Sequence, residues 1–449
     1  MGLWFEHALL AGGWAQRVRV EVDDGAVRTI CKGVEPEARD ERGGIAIPGL
    51  PNLHSHTFQR AMAGLAEVRG PSGDSFWTWR ELMYRFVGDL APEDVEAIAA
   101  QAFLEMLEGG FTRVGEFHYL HHAPDGAAYA DPGEMAGRIA AAAAETGIGL
   151  TLLPVFYAHS GFGGAAPLVD QRRFVNSLDG YARLQEASRA AVRDLPDAVV
   201  GVAPHSLRAV TEDELKVVSE AAGPIHIHVA EQVKEVDDCL AWSGARPVEW
   251  LQGRFAVDDR WCLVHATHIN EAERRRLATS GAVAGLCPIT EANLGDGVFP
   301  AARYLMEGGA FGVGSDSNIR IDAAEELRLL EYGQRLAKRS RNVLANREGE
   351  ATGAALYRRA LTGGAQALGA PQAPGLAIGA AADIVSFPAD HEAFAARAGD
   401  AWLDSWIFAA APVQHVWRRG RRVVADGRHH GRERITARYR GVLERLLRR

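Results

Sequence analysis

Between Pro48 and about Arg320 the chain repeats one pattern, a short apolar run of strand length followed by a longer helix-compatible segment. Eight such runs occur: "IPGLPNLHSH", "TRVGEFHY", "GIGLTLLPVFYAH", "AVVGVAPHS", "PIHIHVAE", "WCLVHATH", "AVAGLCPIT" and "AFGVGSDSN". Runs of this kind suit parallel strands buried on both faces, and eight strand-helix units in order predict an α/β fold, a closed (β/α)8 barrel. Seven of the eight runs end in residues that ligate, ionise or hydrogen-bond: His54 and His56, His118, His159, His205, His228 with Glu231, His265, and Asp316. Active sites of such barrels lie at the C-terminal ends of the strands, where these residues fall.

In the first run a strand would send His54 and His56 to one face and Ser55 to the other. Read alone, the pair is equally well two hydrogen-bonded histidines at a strand end; its partners decide. Imidazoles and carboxylates suit a divalent metal, and a catalytic site keeps a position open for water. His54 and His56 from strand one, His228 from strand five and Asp316 from strand eight form such a set, although Asp316 could cap a helix and His228 could be a packed strand residue.

Outside the barrel, "LWFEHALLAGGWAQRVRVEVDDGAVRTICKG", "AADIVSFPAD" and "VQHVWRRGRRVVADGR" alternate apolar and polar residues around turn signals. They read as short antiparallel strands, so both chain ends are expected to build one small β-sandwich domain. The expected division is residues 1–47 as its N-terminal part, 48–370 as the catalytic barrel, and 371–449 as its C-terminal part plus a closing helix. The start of the chain lacks a basic segment followed by a long apolar core, and no later segment is apolar long enough to span a bilayer, so a cytoplasmic protein with no membrane partner is expected. A net charge of -9 speaks against nucleic acid, and the arginine-rich tail "RERITARYRGVLERLLRR" reads as a solvated face on the closing helix. Cys31, Cys239, Cys262 and Cys287 are scattered without paired spacing and are expected to be buried thiols.

The constellation His54, His56, His228, His265 and Asp316 resembles the amidohydrolase superfamily, with its H-x-H on strand one, histidines on strands five and six, and aspartate on strand eight. The run "GVAPHS" lacks the lysine that bridges two metals in dinuclear members, so the resemblance implies one divalent ion, zinc in the first instance, with iron, manganese or cobalt also compatible. "HVAE" places Glu231 three residues after His228, as in the mononuclear deaminase branch. By that resemblance Asp316 takes a proton from the activated water, His265 orients it, and Glu231 protonates nitrogen.

Over essentially the whole length, "NLHSHTFQRAMAGLAE", "SFWTWRELMYR", "EFHYLHH", "PHSLRAV", "HVAEQVKEVDDCLAWSG", "CLVHATH" and "TEANLGDGVFPA" resemble the formimidoylglutamate deiminases of histidine degradation. The resemblance implies a homodimer that hydrolyses N-formimino-L-glutamate, with Gln59, Arg80, Tyr119, His205 and Arg208 holding this dicarboxylate. Arginine suits that task because its guanidinium meets a carboxylate in a bidentate manner. The alternatives are a nucleobase-type deaminase or an imidazolonepropionase, which would not need two arginines, and a catalytically silent scaffold, which would have lost the ligands. The loop "HSGFGG" and the imidazoles of His121, His122 and His268 are left without an assigned role.

Overall fold

In the computed structural model, which describes residues 1–70, 74–370 and 375–448, each of the eight apolar runs contains a strand. In barrel order these are Leu50–Ser55, Phe111–His118, Gly149–Phe156, the broken strand Val199–Val200 with Ala203–Pro204, Ile225–Val229, Trp261–His265, Val283–Leu286 and Ala310–Val313. Strands one to four pair in parallel, as do strands five to eight. Two seams close the circuit. Strand four meets strand five through Val202–Ile225 and Ser206–His228, and strand eight meets strand one through Ser55–Asp316.

The second seam carries two expected site residues. Asp316 N–H donates to the His54 carbonyl at 2.9 Å, and His56 N–H donates to the Asp316 carbonyl at 2.9 Å. Gly314 permits this approach: a Cβ there would lie 2.7 Å from the His54 carbonyl oxygen. Larger side chains at 314 would push the two strand ends apart.

The chain ends build one continuous eight-stranded sheet, in spatial order Arg428–His429, Arg421–Ala425, His415–Arg418, Ile384–Phe387, Glu41–Pro48, Gly2–Leu10, Gly13–Asp23 and Ala26–Cys31. All neighbours are antiparallel except Gly2–Leu10 with Glu41–Pro48. Its own apolar core includes Leu3, Phe5, Val18, Val20, Ile384 and Trp417, with Phe5 and Trp417 edge to face at 5.4 Å. The expected boundary between 370 and 371 adjoins residues 371–374, which lie outside the described residues, as does Arg449.

Two sequence expectations need correction. Cys31 is exposed, because it ends the edge strand of the chain-end sheet, whereas Cys239, Cys262 and Cys287 are buried thiols. The closing helix Arg432–Leu447 does not simply present its arginines to solvent: Arg432 pairs with Glu108, Arg438 with Glu145 and Arg445 with Asp94. Acidic residues on the barrel helices therefore account for part of the basic tail. Among the described residues, no helix is long and apolar enough to cross a membrane.

Candidate active site

Three imidazole nitrogens and one carboxylate oxygen converge at the strand ends. His54 Nε2 lies 3.2 Å from His56 Nε2 and 3.1 Å from His228 Nε2, while Asp316 Oδ1 lies 3.5 Å from His54 Nε2 and 3.3 Å from His56 Nε2. The second ring nitrogens of His56 and His228 face carbonyls, His56 Nδ1 that of Phe117 and His228 Nδ1 that of His205, each at 2.9 Å. A carbonyl only accepts, so each Nδ1 carries the proton and each Nε2 turns a lone pair toward the cluster. One proton on His54 Nε2 could serve only one of its two neighbours. A cation serves all of them.

The donor set fits that cation. Donors about 2.0–2.2 Å from a tetrahedral ion sit roughly 3.3–3.6 Å from one another, close to the spacings above. His54, His56, His228 and Asp316 are all buried and their ligand atoms lie within 4.8 Å of one another. Burial holds the His54 and His228 pKa well below the ordinary value and lowers that of His56, so the imidazoles are neutral and free to ligate. A second set, His265, Cys287 and Asp316, is equally close, but burial drives the Cys287 thiol well above its usual range and keeps it protonated.

The local backbone is bent to aim these groups. Ala230, His265, Ala266, Asp316 and Asn318 adopt φ between 42° and 66°, the left-handed region that costs a non-glycine residue about 1–3 kcal/mol each. Buried hydrogen bonds hold the bends. Glu235 accepts from the N–H groups of Ala230 and Glu231 at 3.1 and 3.0 Å. Asn318 donates to Ser55 Oγ and the His56 and Asp316 carbonyls at 3.0–3.1 Å, and accepts from Ser315 Oγ, which is itself bonded to Asn52. This network clamps strand one to strand eight at the ligand set.

Beside the cluster, His265 Nε2 stands 3.8 Å from Glu231 Oε1 and 3.9 Å from Asp316 Oδ2, and its Nδ1 lies 3.3 Å from Glu291 Oε1. Asp316 thus turns one oxygen to the imidazole cluster and the other toward His265. Burial pushes the Glu231 carboxyl up to about 7, where it both gives and takes a proton near neutrality. Burial opposes charge on His265, but Glu231, the hydrogen bond to Glu291 and Asp316 override it and raise its pKa to about 10.

These groups open onto a pocket lined by every residue expected at the substrate: Gln59, Arg80, Tyr119, His205 and Arg208. Gln59 donates to Tyr119 Oη at 2.9 Å, and its buried carbonyl oxygen has no partner. Among the described residues, neither Arg80 nor Arg208 has a carboxylate within ion-pair distance in this structure, and the buried Nε of each has no hydrogen-bond acceptor. Phe76, Trp79, Met83, Tyr84, Tyr157 and Phe174 also line the pocket, none of them expected from sequence.

Two strand-end histidines do not join the site. Phe117 faces the barrel interior, its ring 5.0 Å from that of His54, so alternation turns His118 outward, where it is buried with its ring 5.5 Å from that of His121. His159 pairs with Glu214 at 2.9 Å. Its loop nevertheless reaches the pocket through Ser160. His121, His122 and His268 are each taken up by a backbone carbonyl, of Val155, Val175 and Asp296.

Sequence profiles agree with this geometry. The Amidohydrolase family profile matches residues 45–423, and that of the Formimidoylglutamate deiminase HutF N-terminal domain matches residues 4–44. The formimidoylglutamate deiminase of Pseudomonas aeruginosa is 52% identical over 451 residues, 99% of each chain. The crystal structure of an amidohydrolase from Brucella melitensis, 54% identical, superposes with a TM-score of 0.96 over 99% of both chains. An adenosine deaminase from Xanthomonas campestris with bound zinc shares the fold at a TM-score of 0.82 and 22% identity, covering 100% of this chain and 98% of its own.

Proposed function

We propose that this chain, which belongs to the amidohydrolase family, hydrolyses N-formimino-L-glutamate to N-formyl-L-glutamate and ammonia. It is a hydrolase of a C–N bond in a linear amidine. The observation that carries the substrate assignment is the presence of Arg80 and Arg208, with no carboxylate among the described residues within ion-pair distance, in the same pocket as the histidine cluster. A dicarboxylate supplies the missing anions, whereas a purine or pyrimidine would leave two guanidiniums partly desolvated and unpaired.

His54, His56, His228 and Asp316 would hold a single divalent ion, zinc being our choice from a His3Asp donor set that also accepts iron, manganese or cobalt. When bound, the ion supplies the Lewis acidity that makes water a competent nucleophile near neutral pH. The chain does the rest. Asp316 accepts a proton from the water that attacks the formimino carbon. His265, between Asp316 and Glu231, orients that water and steadies the developing oxyanion. Glu231 delivers one proton to the terminal nitrogen as the tetrahedral adduct forms; the proton held by Asp316 then passes to the same nitrogen while the adduct's hydroxyl proton returns to Glu231, so the carbon–nitrogen bond breaks, ammonia leaves, and the formyl oxygen comes from water. Gln59, Tyr119 and His205 position the formimino end while the arginines bind the carboxylates. The family resemblance further supports a cytoplasmic homodimer in histidine catabolism.

Arg80→Met and Arg208→Met should each lower kcat/KM for formiminoglutamate by about 10- to 100-fold or more, since a charge-assisted hydrogen bond is worth about 1.5–3 kcal/mol. An analogue amidated at one carboxylate should suffer little further loss in the variant lacking that carboxylate's partner and a full further loss in the other. Unaltered kinetics in both variants would remove the arginines from the substrate site.

A further inference from the structure

Trp77 lines neither the ligand cluster nor the pocket wall, yet the two arginines share its ring. We propose that the Trp77 indole is the positioning residue that fixes the spacing of Arg80 and Arg208 and so sets selectivity for a dicarboxylate; this rests on the substrate reading given above. The helix Phe76–Val87 begins with a reciprocal cap. Ser75 Oγ accepts from Trp77 N–H at 3.3 Å, and Thr78 Oγ1 accepts from Ser75 N–H at 3.0 Å, so the first turn holds Trp77 in place. Arg80 and Tyr84 follow three and seven residues later on the same helix face.

Arg80 Cζ lies 4.6 Å from the Trp77 ring centroid and 5.6 Å from that of Tyr84. Arg208 arrives from the loop after strand four, and its Cζ is 5.7 Å from the same indole. Lys234 Nζ, at the start of helix Val233–Ser243, is 5.9 Å from it. Cations on three separate elements therefore converge on one aromatic ring. Lys234 already has Asp238 at 2.7 Å, but the two arginines have no carboxylate, among the described residues, within ion-pair distance.

Two guanidiniums whose Cζ atoms lie 4.6 and 5.7 Å from one ring centroid repel each other. A carboxylate placed among them would relieve the repulsion, but it would also occupy their hydrogen-bond donors and repel an anionic substrate. The face of tryptophan attracts cations within about 6 Å while leaving the in-plane N–H donors free. Trp77 thus steadies both arginines without competing for their donors, and the spacing it imposes is the spacing a dicarboxylate must match.

The test uses the full-length metal-loaded protein with Trp77→Phe, Trp77→Leu, and fluorinated tryptophans incorporated at position 77, which keep the ring's shape while weakening its pull on cations. Two readouts are taken: steady-state kinetics on formiminoglutamate, and calorimetric binding of N-formyl-L-glutamate, which requires no turnover. Trp77→Leu is expected to raise both KM and the product Kd about 10-fold with kcat within about 2-fold, Trp77→Phe to stay within about 3-fold, and the Kd to climb with each added fluorine. The monoamide analogue should lose less than the dicarboxylate does. Should Trp77→Leu fail to fold, the fluorine series decides alone. A Kd indifferent to ring electronics, or kcat and affinity falling alike in the Phe and Leu variants, would overturn the proposal. Wild-type protein that binds N-formyl-L-glutamate but releases no ammonia from formiminoglutamate would overturn the functional reading while leaving the Trp77 series readable; absence of dicarboxylate binding would overturn both.

Discussion

Glu231→Gln is expected to lower kcat by about 10²–10⁴-fold, the usual contribution of a positioned general acid-base group, while metal content and melting temperature stay near wild type. The substitution keeps the shape and removes the ionisable proton. Glu231 sits 3.8 Å from His265, is buried, and is held in place through its backbone N–H by Glu235 rather than through its own carboxylate. Its side chain is therefore free to exchange protons, and its replacement should leave the bend at Ala230 intact. Metal analysis and thermal unfolding alongside the rate measurement separate this outcome from loss of structure. A Gln variant within a few-fold of wild type would take Glu231 out of the proton path.

Removal of the metal is expected to have the larger effect. Without a cation, the Nε2 atoms of His56 and His228 stand 3.2 and 3.1 Å from that of His54 with no shared positive charge between them, and the Lewis acidity that an ion would lend to water near neutral pH is lost. Dialysis against a chelator should reduce ammonia release to background, and one equivalent of a divalent ion should restore it. The same addition should raise the melting temperature, because an ion that binds only the folded site stabilises it by mass action. His228→Ala should lose both responses. Full turnover by protein shown to be metal-free would defeat the assignment.

Much of this arrangement was legible in the sequence because it follows periodicities. Alternation along a strand aims His54 and His56 together, and a residue at the end of strand eight returns beside strand one when the barrel closes. What escaped is what has no period. The left-handed backbone at Ala230 and Ala266 falls on a residue type that rarely adopts it, and although His265, Asp316 and Asn318 are of types that adopt it more readily, no sequence period marks where the bends occur. The clamp of Asn52, Ser315 and Asn318 joins positions more than 260 apart, and its members read singly as ordinary turn formers. Strand-end position also misled: His118 shares it with His54, but the alternation that turns Phe117 inward turns His118 away. Trp77 went unread in the sequence because a tryptophan beside the pocket has no period of its own, and only the fold shows Arg80 and Arg208 arriving at the same indole.

The most direct measurement is ammonia release by the metal-loaded protein from N-formimino-L-glutamate, set beside adenine, guanine and cytosine at equal concentration. Rapid release from formiminoglutamate, with N-formyl-L-glutamate as the co-product and no detectable action on the bases, is the predicted result. Turnover of a nucleobase with none of formiminoglutamate would contradict the account even with the barrel and metal site intact.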